Sequence, residues 1–251
     1  LTVIGIGNYA NSTPVTKTFE VVPASMTGAR VNVTAVTYTG AAQTAKVTSV
    51  IVNDRVLQAG TDYTVETKKA TNAGTVKVKV TGKDNYTGTA TGDFVIKARN
   101  LSKAAISGIK DRVYTSKALG QTSSLKVVVD KKTLKKNTDY TISYKNNKKI
   151  GEASFTIKGK GNYTGTTTAR TFRIYPKKAA IDSLKAGSKR FTVQTKRQGG
   201  GIQYQVQYRL KGAKGYTRVE SKKAKVVVKG LRKGKTYVVR VRTYKKVGGK
   251  T

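Results

Sequence analysis

Apolar and polar residues alternate with a period of two over short runs along most of this chain. The clearest are Leu125-Lys126-Val127-Val128-Val129, Tyr140-Thr141-Ile142-Ser143-Tyr144, Ala153-Ser154-Phe155-Thr156-Ile157 and Arg170-Thr171-Phe172-Arg173-Ile174. Alternation over about five residues, rich in Val, Ile, Thr, Tyr and Phe, predicts strands with one buried face. Lys145-Asn146-Asn147-Lys148 and Lys158-Gly159-Lys160-Gly161-Asn162 separate these runs. Their Asn and Gly residues tolerate positive φ, so hairpins and a small sandwich are expected. No helical period competes.

The pattern is also duplicated. Gly7-Asn8-Tyr9, Asn85-Tyr86-Thr87-Gly88 and Gly161-Asn162-Tyr163-Thr164-Gly165 place their tyrosines 77 residues apart. Asp62-Tyr63-Thr64 and Asp139-Tyr140-Thr141 share that 77-residue offset, as do Gly74 and Gly151. Self-similarity at a fixed period marks a repeat architecture.

The run from Thr138 to Asn147, with Gly151 and the Gly159–Gly165 word, resembles the immunoglobulin-like repeats of large Gram-positive cell-surface proteins. The similarity covers residues 23–98 and 99–176 as two copies. Residues 1–22 look like the C-terminal strands of a preceding copy, with Gly7-Asn8-Tyr9 and Thr18-Phe19-Glu20-Val21 in the corresponding places. Residues 177–251 resemble a fibronectin type III domain. The carriers are Phe191-Thr192-Val193, Tyr204 to Tyr208, Leu231 six residues before Tyr237, and the strand Val238 to Arg242. The Leu231–Tyr237 pair matches that family's tyrosine corner, in which the ring packs on a leucine and the hydroxyl reaches backbone. Thr195 stands where the family usually places a core tryptophan, and the last strand of the domain is expected to be missing. The implied fold is all-β, a tandem of small β-sandwiches.

Composition narrows the chemistry. The chain contains no Cys and no His, which removes thiol nucleophiles, disulfides, the usual zinc ligands and the side chain that titrates near neutral pH. Its 12 acids are scattered through turns and strands, without the pairing that general acid–base work needs. Asp62 and Asp139 read as turn hydrogen-bonders beside strand starts. Gly159-Lys160-Gly161 and Gly199-Gly200-Gly201 read as turns, because neither leads into a helix followed by Lys-Ser/Thr as a phosphate loop does. No catalytic residue, cofactor site or metal site is expected. No stretch approaches the roughly 18 apolar residues of a membrane span, so no membrane insertion is expected.

Charge changes the picture most. The whole chain carries a formal net charge of +38, but unevenly: residues 1–98 hold +4, residues 99–176 hold +13 and residues 177–251 hold +21. Solubility of a small domain asks for a magnitude of only about 2–8. In the Tyr237 strand, alternation puts Tyr237, Val239, Val241 and Thr243 on one face and Val238, Arg240, Arg242 and Tyr244 on the other. With Tyr237 inward, Arg240 and Arg242 form an exposed face that Arg209 extends and that Lys222, Lys223, Lys225, Lys245 and Lys246 border. This predicts a basic platform for anionic polymers, bound through counterion release. The 37 Lys against 13 Arg speak for attraction without sequence readout, since Arg is the usual reader of guanine.

The expected function is a non-enzymatic stalk and adhesive, extracellular and on a cell surface or cell wall. Its expected partners are teichoic acid, acidic glycans and extracellular nucleic acid without sequence specificity. Two alternatives are a fibre subunit pairing with copies of itself by β-strand addition and an accessory module of a larger secreted enzyme.

Overall fold

The computed structural model describes residues 1–246. Regular structure among them is β throughout, apart from one 3-10 turn at Gly7–Tyr9, and no helix is long and apolar enough to cross a membrane. The chain divides into two compact units, Leu1–Arg99 and Asn100–Thr251.

In the first unit two sheets pack face to face. One contains Arg30–Val33, Val47–Val52 and Arg55–Val56; the other contains Val36–Thr37, Thr89–Lys97, Gly74–Gly82 and Tyr63–Val65. The long hairpin pairs Gly74 with Ile96 through to Thr81 with Thr89. Its alternation sorts the faces as a pleated strand must: Val78, Val80, Phe94 and Ile96 are buried, while Lys77, Lys79 and Asp93 are exposed. Met26, Val50, Val52, Leu57, Tyr63, Val80 and Tyr86 form one buried cluster between the sheets.

The second unit holds two such sheet pairs. The first joins Ala105–Ser107, Lys126–Val129 and Lys132–Thr133 to a sheet of Arg112–Val113, Arg170–Tyr175, Gly151–Gly159 and Tyr140–Lys145. Tyr144, Phe155 and Phe172 meet inside it, with ring centroids 5.9 to 6.4 Å apart. The Tyr144 hydroxyl accepts the Gln121 N–H at 2.9 Å, which supplies the polar partner a part-buried phenol needs.

The 77-residue repeat reappears as a repeated set of hydrogen bonds. Asp62 Oδ2 accepts the Gln58 N–H and Asp139 Oδ2 accepts the Lys135 N–H, both at 2.8 Å. Lys83 Nζ donates to the Gly60 carbonyl at 3.1 Å, and Lys160 Nζ to the Asn137 carbonyl at 3.0 Å. Tyr63 and Tyr140, each next to its turn acid, are both 4% exposed, and burial pushes both phenols above their ordinary pKa. Gly82 and Gly159 are required by close approach: a Cβ would lie 2.8 Å from the Tyr86 carbonyl oxygen in one copy and 2.7 Å from that of Tyr163 in the other.

The C-terminal sheet pair sets Ile181–Gly187, Arg190–Thr195 and Lys225–Lys229 against Thr217–Ser221, Gln203–Leu210 and Tyr237–Tyr244. Phe191, Val193, Val206, Val226 and Val228 are its buried centre, with Tyr208, Leu231, Val239 and Val241 packed around them. The Tyr237 hydroxyl accepts the Arg232 N–H at 3.0 Å, so it reaches backbone as expected. Thr195 is 1% exposed, and its hydroxyl donates to the Ala224 carbonyl at 3.1 Å, which satisfies a polar group where a tryptophan would have brought bulk.

One segment departs from expectation. Thr18 to Val21 forms no strand; the strand nearest it is Val15–Thr16, paired with Thr2–Val3. Phe19, Val21 and Val22 are 68% or more exposed, and alternation does not fix a strand that has no sheet to bury against. The expected absence of a last strand concerns residues beyond 246, outside the described ones.

Candidate basic site on the C-terminal sandwich

The outer face of the Thr217–Ser221, Gln203–Leu210, Tyr237–Tyr244 sheet is built by register. Gln207 lies opposite Arg218 on one side and Arg240 on the other; Gln205 lies opposite Glu220 and Arg242. Both glutamines belong to the face turned away from the apolar core, yet they are only 3% (Gln205) and 7% (Gln207) exposed.

Hydrogen bonds explain how they tolerate that burial. Arg240 Nε donates to Gln207 Oε1 at 2.6 Å, and Gln207 Nε2 donates to Gln205 Oε1 at 2.5 Å. Arg242 Nε donates to the same Gln205 oxygen at 2.9 Å, and Gln205 Nε2 donates to Glu220 Oε1 at 3.1 Å. Every donor thus points along one chain that ends on a carboxylate. Buried amides so paired cost little, and they hold the guanidinium groups in place. The Arg240 guanidinium also sits 4.0 Å from the centroid of the Tyr216 ring, with that of Arg209 at 4.8 Å, within reach of cation–π attraction. Arg209 Nη1 donates to the Ala213 carbonyl.

Each of Arg240 and Arg242 therefore uses its Nε inward. The Nη pair of a guanidinium is the edge that matches a carboxylate, sulfate or phosphate bidentately. No salt bridge among the described residues engages a cation of residues 177–246; Lys68–Glu66, Lys77–Asp93 and Lys83–Asp84 all lie in the first unit. Glu220 is the one acid on this face, and contacts with Tyr244 and Gln205 hold its carboxyl below its ordinary pKa. Tyr244 is pushed up to about 12, by burial first and then by that carboxylate.

The structure brings together only part of the expected platform. Arg209, Arg240 and Arg242 share the sheet face. Lys222, Lys223 and Lys225 instead line a groove with Arg197 and the Gly199–Gly201 loop, because Lys222 and Lys223 lie in the connection after Thr217–Ser221 and Lys225 opens the Lys225–Lys229 strand of the opposite sheet. Lys245 is tied into the same loop, its Nζ donating to the Gly200 carbonyl at 2.7 Å. Lys246 is exposed and acts through space on Glu220. Arg197, Gln205, Gln207, Tyr216 and Arg218 were not among the expected residues. The alternating Gln203, Gln205 and Gln207 are the sequence signal for the buried ladder. No group of His, Cys, Asp or Glu able to hold a metal occurs among the described residues.

Two solved structures are similar over most of the chain at low identity. The FN1–FN3 domains of chicken CNTN1 match at 12% identity and a TM-score of 0.25, covering 87% of this chain and 93% of that one. Domains A168-A170 from titin match at 14% identity and a TM-score of 0.25, covering 87% of this chain and 92% of that one. The comparison with curated proteins found no match. Residues 176–251 match the family model of the fibronectin type III domain.

Proposed function

We propose that the chain is a non-enzymatic extracellular module, two immunoglobulin-like repeats at 23–98 and 99–176 carrying a fibronectin type III domain at 177–251. It holds anionic polymers, such as wall teichoic acid or acidic glycans, on the basic face of its last sandwich. Fibronectin type III domains are typically extracellular and non-catalytic, which supports the setting. The observation that carries the reading is the buried Gln205–Gln207 ladder, which fixes Arg240 and Arg242 with their Nε groups occupied and no salt-bridged acid over them.

Extended polymers suit this face better than stacked bases. Residues two apart on a strand lie about 6.6 Å apart, a spacing at which successive charges of a linear polyanion meet successive forks. Tyr216, the aromatic ring of the face, already lies against two guanidinium groups, so a base does not find an open platform there.

The test is retention of the whole chain on an immobilised sulfated glycan and on teichoic acid, compared with an Arg240→Glu/Arg242→Glu variant. The variant is expected to bind at least tenfold more weakly, with the slope of log affinity against log salt shallower by about two. Unchanged retention contradicts the proposal.

A further inference from the structure

The groove beside the arginine face is a different kind of site. It has a volume of about 790 Å³ and is lined by the Gly199–Gly201 loop, by Lys222 and Lys223 of the connection after Thr217–Ser221, by Lys225 at the start of the next strand, and by Arg197. No acidic residue lines it.

Its glycine wall is anchored. The Tyr204 hydroxyl accepts the Gln198 N–H at 2.9 Å, Gln198 Nε2 donates to the Lys177 carbonyl at 2.9 Å, and Lys245 holds the Gly200 carbonyl. Beneath the loop, a Cβ on Gly200 would come within 3.0 Å of the Tyr114 ring. Gly200 and Gly201 both have positive φ, +82° and +70°, a backbone conformation that other residues adopt only with strain. The connection after Thr217–Ser221 is fixed as well, since Lys223 N–H donates to Ser221 Oγ at 2.9 Å.

The groove offers cations and backbone N–H donors, with the buried Gln198 amide oxygen, which has no hydrogen-bond partner, as an acceptor in its lining. The N–H groups of Gly199, Gly200 and Gly201 make no hydrogen bond to any acceptor among the described residues. Lys222, Lys223, Lys225 and Arg197 line the groove with them. A concavity of unpaired backbone N–H groups next to cations favours oxyanions. A single inorganic ion occupies only a small part of the space, whereas the volume lies in the range of about 300–1,000 Å³ typical of pockets for small organic ligands.

The geometry points to the Gly199–Gly201 groove as a discrete binding site for a saccharide-sized polyol bearing sulfate or phosphate esters. It stands apart from the polymer face: a flat sheet tracks a chain, while the groove seats one ester-bearing unit, the terminal one of a polymer or a free small molecule. Sulfate and phosphate esters share the tetrahedral oxyanion that the site recognises.

The experiment is titration of the full chain with sucrose octasulfate, glycerol phosphate and unmodified sucrose. It is read by backbone amide shifts and calorimetry for the native chain, a Lys222→Gln/Lys225→Gln variant and an Arg240→Gln/Arg242→Gln variant. Expected are saturable shifts at Gly199, Gly200 and Gly201 with at least one ester-bearing probe and none with sucrose; which probe binds identifies the ester. The lysine variant is expected to weaken that binding at least tenfold and the arginine variant to change it less than about twofold. No shifts at the three glycines, equal shifts with sucrose, or shifts abolished only by the arginine variant overturn the inference. Polymer retention is read separately. A chain that keeps the polymer but ignores the probes refutes the groove alone, and one that binds the probes but not the polymer refutes the polymer face alone.

Discussion

The turns at Asn53–Asp62 and Asp130–Asp139 stand 77 residues apart and close in the same way, yet they carry different charge. The first contains Asp54, Arg55 and Asp62, a net of −1; the second contains Asp130, Lys131, Lys132, Lys135, Lys136 and Asp139, a net of +2. The aspartate-to-N–H bond is 2.8 Å in each, and the tyrosine after each aspartate is equally buried. Closure and burial define the turn, while charge varies without altering it. The cations added in the second turn are therefore not required for its closure or for the burial of its tyrosine.

The comparison breaks hardest at the tyrosines. Tyr140→Ala or Tyr63→Ala, by analogy with other large aromatic truncations, is expected to cost about 3–5 kcal/mol, read from urea denaturation. Near-zero cost in either would mean that the turn is not held from inside.

On the arginine face the sharpest variant leaves charge alone. Gln207→Leu keeps the net charge but removes the oxygen that Arg240 Nε engages. Affinity for a sulfated glycan is expected to fall about tenfold, or about 1.4 kcal/mol, with the salt slope unchanged. If affinity holds, attraction depends on charge count and the forks are not preset.

Asp139→Ala and Asp62→Ala are each expected to cost about 1 kcal/mol, the usual worth of one hydrogen bond, and to cost the same as each other. A clear inequality would mean that the added lysines strain the second copy.

Sequence alternation went far towards this description, because a pleated strand assigns its faces unaided. It placed Arg240 and Arg242 together, and the 77-residue offset marked Asp62 and Asp139 as turn residues. It could not assign Gln205 and Gln207, since a neutral amide on an outward face reads as solvated until register shows arginines folded over it. Cross-strand neighbours such as Arg218 and Gln207 depend on how the strands are ordered, which is a tertiary property. The groove was hidden for the same reason: Gly199–Gly201 and Lys222–Lys225 are brought together only when the sandwich closes. Thr18 to Val21, expected to be a strand from its correspondence to the later copies, carries none.

pH sharpens the account with smaller effects. Without histidine, binding to a sulfated glycan is expected to stay level from about pH 6 to 9. Tyr244, pushed up to about 12, keeps a proton that the unfolded chain releases near about 10. Its contribution to stability is therefore complete below about pH 10 and is lost as the pH climbs towards 12. Tyr244→Phe is expected to flatten that part of an alkaline denaturation curve. Smallest of all, giving the second turn the residues of the first by Lys131→Asp, Lys135→Gln and Lys136→Ala is expected to change stability by less than about 0.5 kcal/mol per site.

The most direct measurement is the affinity of the unmodified chain for a sulfated glycan across a salt series from about 50 to 200 mM. A linear fall of log affinity with log salt, steep enough to correspond to several neutralised charges, is the predicted result. Weak retention at the lowest salt, or an affinity indifferent to salt, would contradict it.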